Sequence, residues 1–181
     1  MNLVELKKEL RELLRDSEQN EKKSYRFSEF LLERMILRSA NEIIATLGIN
    51  QHALKTSGEE IICESEILKV NEVSFNGEVS NERVFEILDN QILKPLKRGD
   101  LCVNVSLAIK EAAAVSELSD FLEWFIICDV LSKIYACEVN SENLQRVNFF
   151  KEQVKGLKSA NLAFMQNVKF GFSTEVRDVK F

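Results

Sequence analysis

The chain is poor in the residues that punctuate a backbone, with one proline and six glycines in 181 residues. That excludes a Gly-rich phosphate cradle and disfavours a small all-β barrel, whose tight turns depend on those residues. Helices are therefore expected to dominate. His52 is the only histidine, so a histidine-based metal site is excluded, and a Ser or Cys nucleophile would have to rely on that one base. Four cysteines, Cys63, Cys102, Cys128 and Cys137, form no CxxC pair and no zinc-ligand spacing. They are expected to be buried small hydrophobes in a reducing compartment. No apolar run of about 18 residues occurs, and Met1 to Asn20 holds no secretory hydrophobic segment. The product is expected to be cytosolic at synthesis, without a membrane partner. P-loop, GxGxxG and HExxH motifs are missing too.

What is present is ordinary for a folded domain: 45% hydrophobic and 29% charged residues, with a mean hydropathy of -0.13. The length suits one domain, or one core with a smaller inserted unit. A net charge of -5 and a pI near 5.2 weigh against a protein that binds chiefly by neutralising nucleic-acid phosphates. The charge is uneven, and residues 151–181 are the basic end, with six Lys and Arg against three Asp and Glu.

Leu3, Leu6, Leu10 and Leu13 recur at helical spacing and predict a helix over 2–15. Ser28 offers an N-cap to a second, over 29–47, whose stripe is Leu32, Ile36, Ala40, Ile43 and Leu47 and whose stop is Gly48. From about 58 to 107 the period shortens, predicting a mainly β region, with Asn76-Gly77 as a hairpin turn and alternation from Leu101 to Leu107 as a strand. A short helix is expected between Ser80 and Leu88. Helical periodicity returns over 117–137, apolar almost all round, and again over 142–166 after a Ser141 cap. Val168 to Val176 alternates like a strand with no sequential partner. The expectation is a mainly α fold: a four-helix bundle core with an inserted small β region and an extended C-terminal tail. Its parts are 1–50, the first two bundle helices; 51–115, the β insertion; 116–166, the last two helices; and 167–181, the tail.

Little in this pattern points to catalysis. His52 follows the end of the second helix, where a helix-terminal or surface histidine is the ordinary reading. Glu59-Glu60 and Glu29/Glu33 read as solvated acidic faces. On the first helix, Lys7, Lys8, Arg11 and Arg15 are balanced by Glu5, Glu9, Glu12 and Asp16 in ordinary surface pairs. Lys151, Lys155 and Lys158 share a face that suits phosphate or an acidic protein surface. The tail is different and has two readings: a strand that returns to the β insertion and completes the chain's own sheet, or a detached strand whose exposed Phe and Val side chains favour burial against a partner.

The order of these parts resembles a known family. Arg15-Asp16, a polar linker, Tyr25-Arg26-Phe27-Ser28 leading into Leu31-Leu32, and then Ala40-Asn41-Glu42-Ile43 resemble the start of head-tail adaptor proteins of tailed bacteriophages. The likeness covers residues 25–43 as motifs and most of the chain as an order of elements. It implies a non-catalytic virion protein without cofactor or metal, forming a ring of typically twelve copies under the portal protein, with a tail or nozzle protein below. DNA would pass through the lumen without sequence-specific binding. The location implied is the virion neck, after assembly from the host cytoplasm. In the family the C-terminal tail reaches the portal, which makes Lys169, Phe170, Phe172, Val176, Arg177, Lys180 and Phe181 the candidate portal contacts here. Two other readings stand beside it: a cellular helical-bundle scaffolding or regulatory interaction protein, and a hydrolase built on His52.

Overall fold

The computed structural model describes residues 2–15, 26–137 and 141–175, with side chains described through Ala160 and at Leu162. The chain divides into two compact units: Met1–Ser39 with Ser116–Phe181, the helical unit, and Ala40–Val115, the β unit. The first boundary falls inside a helix and the second inside a short 3-10 turn, Ala112–Glu117.

In the helical unit, α1 (Leu3–Leu14) starts where the Asn2 side chain accepts the Val4 N–H at 3.0 Å. It buries Leu6, Leu10 and Leu14, an i, i+4 row, while Leu13 stays 39% exposed. The stripe thus runs one residue later at its end than the leucine spacing predicts. The first part of α2 (Glu29–Leu47) buries Leu32 and Ile36. A 3-10 turn, Asp120–Leu122, leads into α3 (Glu123–Ala136), which buries Phe125 through Cys128 together with Val130, Leu131 and Ile134. A helix that is apolar on nearly every side belongs at the centre of its unit. Against it packs α4 (Ser141–Glu175), antiparallel, with Tyr135 stacked on Phe150 at 6.0 Å and Lys158 over the Phe125 ring at 5.9 Å.

The β unit begins with the last two turns of α2, which end at Gly48. The Gly48 φ is +68°, and its N–H bonds the Ile44 carbonyl at 2.9 Å. Seven strands follow: β1 (Gln51–Thr56), β2 (Ile61–Ile62), β3 (Ile67–Phe75), β4 (Glu78–Val79), β5 (Phe85–Leu88), β6 (Ile92–Pro95) and β7 (Leu101–Leu107). They form two antiparallel sheets, in the orders β1-β7-β3-β4 and β2-β6-β5. Asn76 and Gly77 both take positive φ and turn β3 into β4, as the dipeptide predicts. Asp89 and Asn90 do the same between β5 and β6, with the Gln91 N–H on the Leu88 carbonyl at 3.1 Å. The inward residues of β7, Leu101, Val103 and Val105, join Ile67, Val84 and Leu93 in one core shared by both sheets.

The fold is therefore not a mainly α four-helix bundle: it is about 51% helix and 23% strand. The expectation failed because the β segment, read as an insertion, has strands enough to enclose a core of its own. Three local expectations change with it. The β region starts at Gln51 rather than near 58, since β1 is an edge strand and tolerates the polar sequence QHALKT. Residues 85–88 are a strand and not a helix; Val84, Ile87 and Leu88 have helical spacing, but the turn at Asp89-Asn90 pairs them with β6. The extended tail fails over 168–175, because α4 continues to Glu175. In sequence, Val154, Leu157, Asn161, Phe164, Val168 and Phe172 keep a three-and-four spacing. Gly156 and Gly171 each oppose the helix by only about 1 kcal/mol, and neither sheet takes a strand after β7 among the described residues.

Candidate functional site

The polar groups of the helical unit resolve first into structural ties. Lys7 Nζ bonds Glu29 Oε2 at 2.7 Å and Glu33 Oε1 at 2.8 Å, while Arg11 reaches Glu29 Oε1 at 2.6 Å and the Phe27 carbonyl at 3.1 Å. These bonds tie α1 to α2. Hydrogen bonding from Lys7, then from Arg11, holds the Glu29 carboxyl below its usual range, and Glu29, then Glu33, raises the Lys7 ammonium above its own. The acidic pair at Glu29 and Glu33 lies on a solvent-exposed face, as expected, and also serves as a clamp, while Lys8 with Glu12, at 3.9 Å, keeps its expected intrahelical pairing.

A second tie joins α2 to α3. Ser39 Oγ donates to Asp129 Oδ2 at 2.5 Å, and Lys133 Nζ bonds the same oxygen at 2.5 Å while lying 3.3 Å from Ser39 Oγ. A serine beside a lysine has the makings of a nucleophile and base. Here Ser39 is fully buried and its proton is directed to a carboxylate, so the geometry is that of a satisfied buried network.

His52 lies on β1, exposed, with Nε2 3.3 Å from Asn50 Oδ1. It is a surface residue, as one of the two readings expected, but on a strand and not at a helix end, and no described carboxylate or nucleophile bonds it. Among the described residues no group of His, Cys, Asp and Glu is arranged to hold a metal ion. Cys63 and Cys128 are buried as expected; desolvation, then Asp129, pushes the Cys128 thiol to about 11. Cys137 is exposed, contrary to expectation, because it stands at the end of α3.

Between α2 and α3 lies a groove of about 380 Å3. Phe27, Leu31, Met35 and Ile134 give it an apolar floor, and Arg34, Arg38 and Lys133 bring cations to its edge. Arg34 is exposed and makes no ion pair with a described residue. Elsewhere on the helical unit large apolar side chains face outward: Phe30 at 73%, Leu144 at 60%, Phe149 at 56%, Phe121 at 44% and Trp124 at 41% exposed. Lys151 and Lys155 are also exposed on α4, as their spacing predicts.

Of the candidate portal contacts, Lys169, Phe170 and Phe172 lie on the last two turns of α4, and Val176, Arg177, Lys180 and Phe181 fall outside the described residues. The groove was missed from sequence. Its signal is a mixed row, Leu31, Arg34, Met35 and Arg38, running beside the core stripe of α2. No family model matches the chain, and no curated protein matches it. No helix among the described residues is long and apolar enough to cross a membrane.

Proposed function

We propose that the protein is a non-catalytic assembly component, a head-tail adaptor of a tailed bacteriophage. It would form a ring on the portal protein, joining it to a tail or nozzle protein in the virion neck. The observation that carries this reading is the outward display of Phe30, Phe121, Trp124, Leu144 and Phe149 on one helical unit. Side chains of this size supply the apolar contact area that a protein interface buries. The resemblance of residues 25–43 to adaptor sequences supplies the identity of the assembly.

Charge distribution favours the same reading. The β unit carries seven Lys and Arg against twelve Asp and Glu, so the whole -5 belongs to it, while the helical unit is neutral at seventeen against seventeen. An acidic surface along a DNA passage lets the duplex slide without adhering. The portal segment in this proposal is the end of α4 with the residues after it, through Lys169, Phe170 and Phe172 and then Val176, Arg177, Lys180 and Phe181.

The test is to combine the full chain with rings of a portal protein from the same genome, whose absence there would itself defeat the reading, and to weigh the complex by native mass spectrometry. A closed ring of fixed copy number, typically twelve, is expected. One copy per portal ring, or none, defeats the reading. A chain ending at Gln166 should stay folded and dock far more weakly; undiminished docking moves the portal contact to the helix faces.

A further inference from the structure

Residues 117–124, Glu-Leu-Ser-Asp-Phe-Leu-Glu-Trp, combine three acids with two large aromatics. Phe121 and Trp124 are 44% and 41% exposed where the 3-10 turn enters α3. The groove between α2 and α3 has the opposite character: an apolar floor of Phe27, Leu31 and Met35 with Arg34 and Arg38 beside it. We infer that residues 117–124 of one copy dock in the α2–α3 groove of the next, the aromatics on the apolar floor and the carboxylates against the arginines. The partner is a second copy of this chain, chosen by charge complementarity.

Geometry makes the contact intermolecular. Nine residues separate Trp124 from Lys133 on α3, two and a half turns, which places them on opposite faces about 14 Å apart along the helix. The two surfaces therefore do not overlap, and one copy can use both at once. A contact between different patches is heterologous, and it builds a ring when its rotation closes and a filament when it does not. The inference deepens the ring reading above by naming its surfaces. A small contact of this size is weak for a free pair and gains from closure and from a shared platform.

Cys137, exposed and lining the groove, allows a covalent trap. In full-length protein carrying Cys102→Ser and Ser119→Cys, a short bismaleimide should link Cys137 of one copy to residue 119 of the next and give a ladder of dimers, trimers and larger species. Wild-type groove mixed with a Ser119→Cys, Cys137→Ser chain, both with Cys102→Ser, should stop at dimers. Arg34→Glu with Arg38→Glu should cut linkage roughly tenfold, as should high salt, and Asp120→Lys with Glu123→Lys on the donor should restore it. Ser57→Cys on the β unit in place of Ser119→Cys is the control.

Linkage from residue 57 equal to that from 119, or a ladder indifferent to charge reversal, overturns the inference. If reversal leaves portal-bound rings intact, other surfaces build the ring, and this pairing fails while the adaptor reading stands. A charge-dependent ladder with no closed ring on the portal does the reverse.

Discussion

The side-chain amide of Asn41 closes two hydrogen bonds on the backbone of one residue, Ile109: Nδ2 donates to its carbonyl at 3.0 Å and Oδ1 accepts its N–H at 2.9 Å. Ile109 follows β7, where the ladder has ended, so the amide takes the place of a strand partner. Only Asn offers a donor and an acceptor at this reach. Asn41→Asp replaces the donor with a carboxylate facing a carbonyl and should cost the β unit about 2 to 4 kcal/mol. Chemical denaturation followed by hydrogen exchange in β7 checks it, with little change expected in α3.

Gly48 has a second constraint besides its φ of +68°, because an added Cβ would lie 2.3 Å from Asn71 Oδ1. Asn71 itself donates to Ser106 Oγ at 2.9 Å. Gly48→Ala should therefore lower stability by about 2 to 4 kcal/mol, from backbone strain and a displaced hydrogen bond together. Adding Asn71→Ala should relieve the steric part and leave the backbone part, which thermal melts of the two variants would show.

The clamp between α1 and α2 has a defined pH window. The folded Glu29 pKa lies below the ordinary value of 4.5, so its stabilisation is complete above that pH and is lost as pH falls through the lowered value. Lys7 works in the other direction: raised from 10.5, it stabilises fully below that pH and loses the effect as pH rises through its folded value. The Glu29 side chain is 55% exposed, and solvent screening keeps its share to about 1 kcal/mol or less. Glu29→Gln should lower the melting temperature at pH 7 and match the wild type in strong acid. A difference independent of pH would contradict the pairing.

Thiol reactivity should follow position. Cys137 should react first with a maleimide in native buffer and Cys102, half-buried, more slowly. Cys128, with its thiol near 11, and Cys63, also raised by burial, should react only on unfolding. Mass mapping of the labelled peptides decides the order. Because a raised thiol pKa favours the folded state below the unfolded value of 9.0, burial of Cys128 should also cost stability as pH climbs from 9.0 toward about 11.

Local elements were legible in this sequence wherever a short-range rule governs them. Helical spacing located α1 and α2 nearly to their ends and α3 at its C-terminal end, although α3 begins at Glu123 after two 3-10 turns and not at 117; Asn76-Gly77 marked its turn and Leu101–Leu107 its strand, since each depends on residues within a turn or two. Tertiary structure decided what those elements became. Residues 85–88 are a strand only because β6 returns beside them, and β1 is a strand only because β7 supplies its ladder. The clamps at Glu29 and Asp129 join Arg11 to Glu29 across 18 positions and Ser39 to Asp129 across 90, and the groove brings α2 to the end of α3, approaches that no window of sequence records. The two sheets close on a shared core because Leu93 of one and Val103 of the other belong to one buried cluster, and with that the helix bundle expected from periodicity gave way to two units. Periodicity records which face of an element is apolar; which element covers that face is settled by the packing of the whole chain.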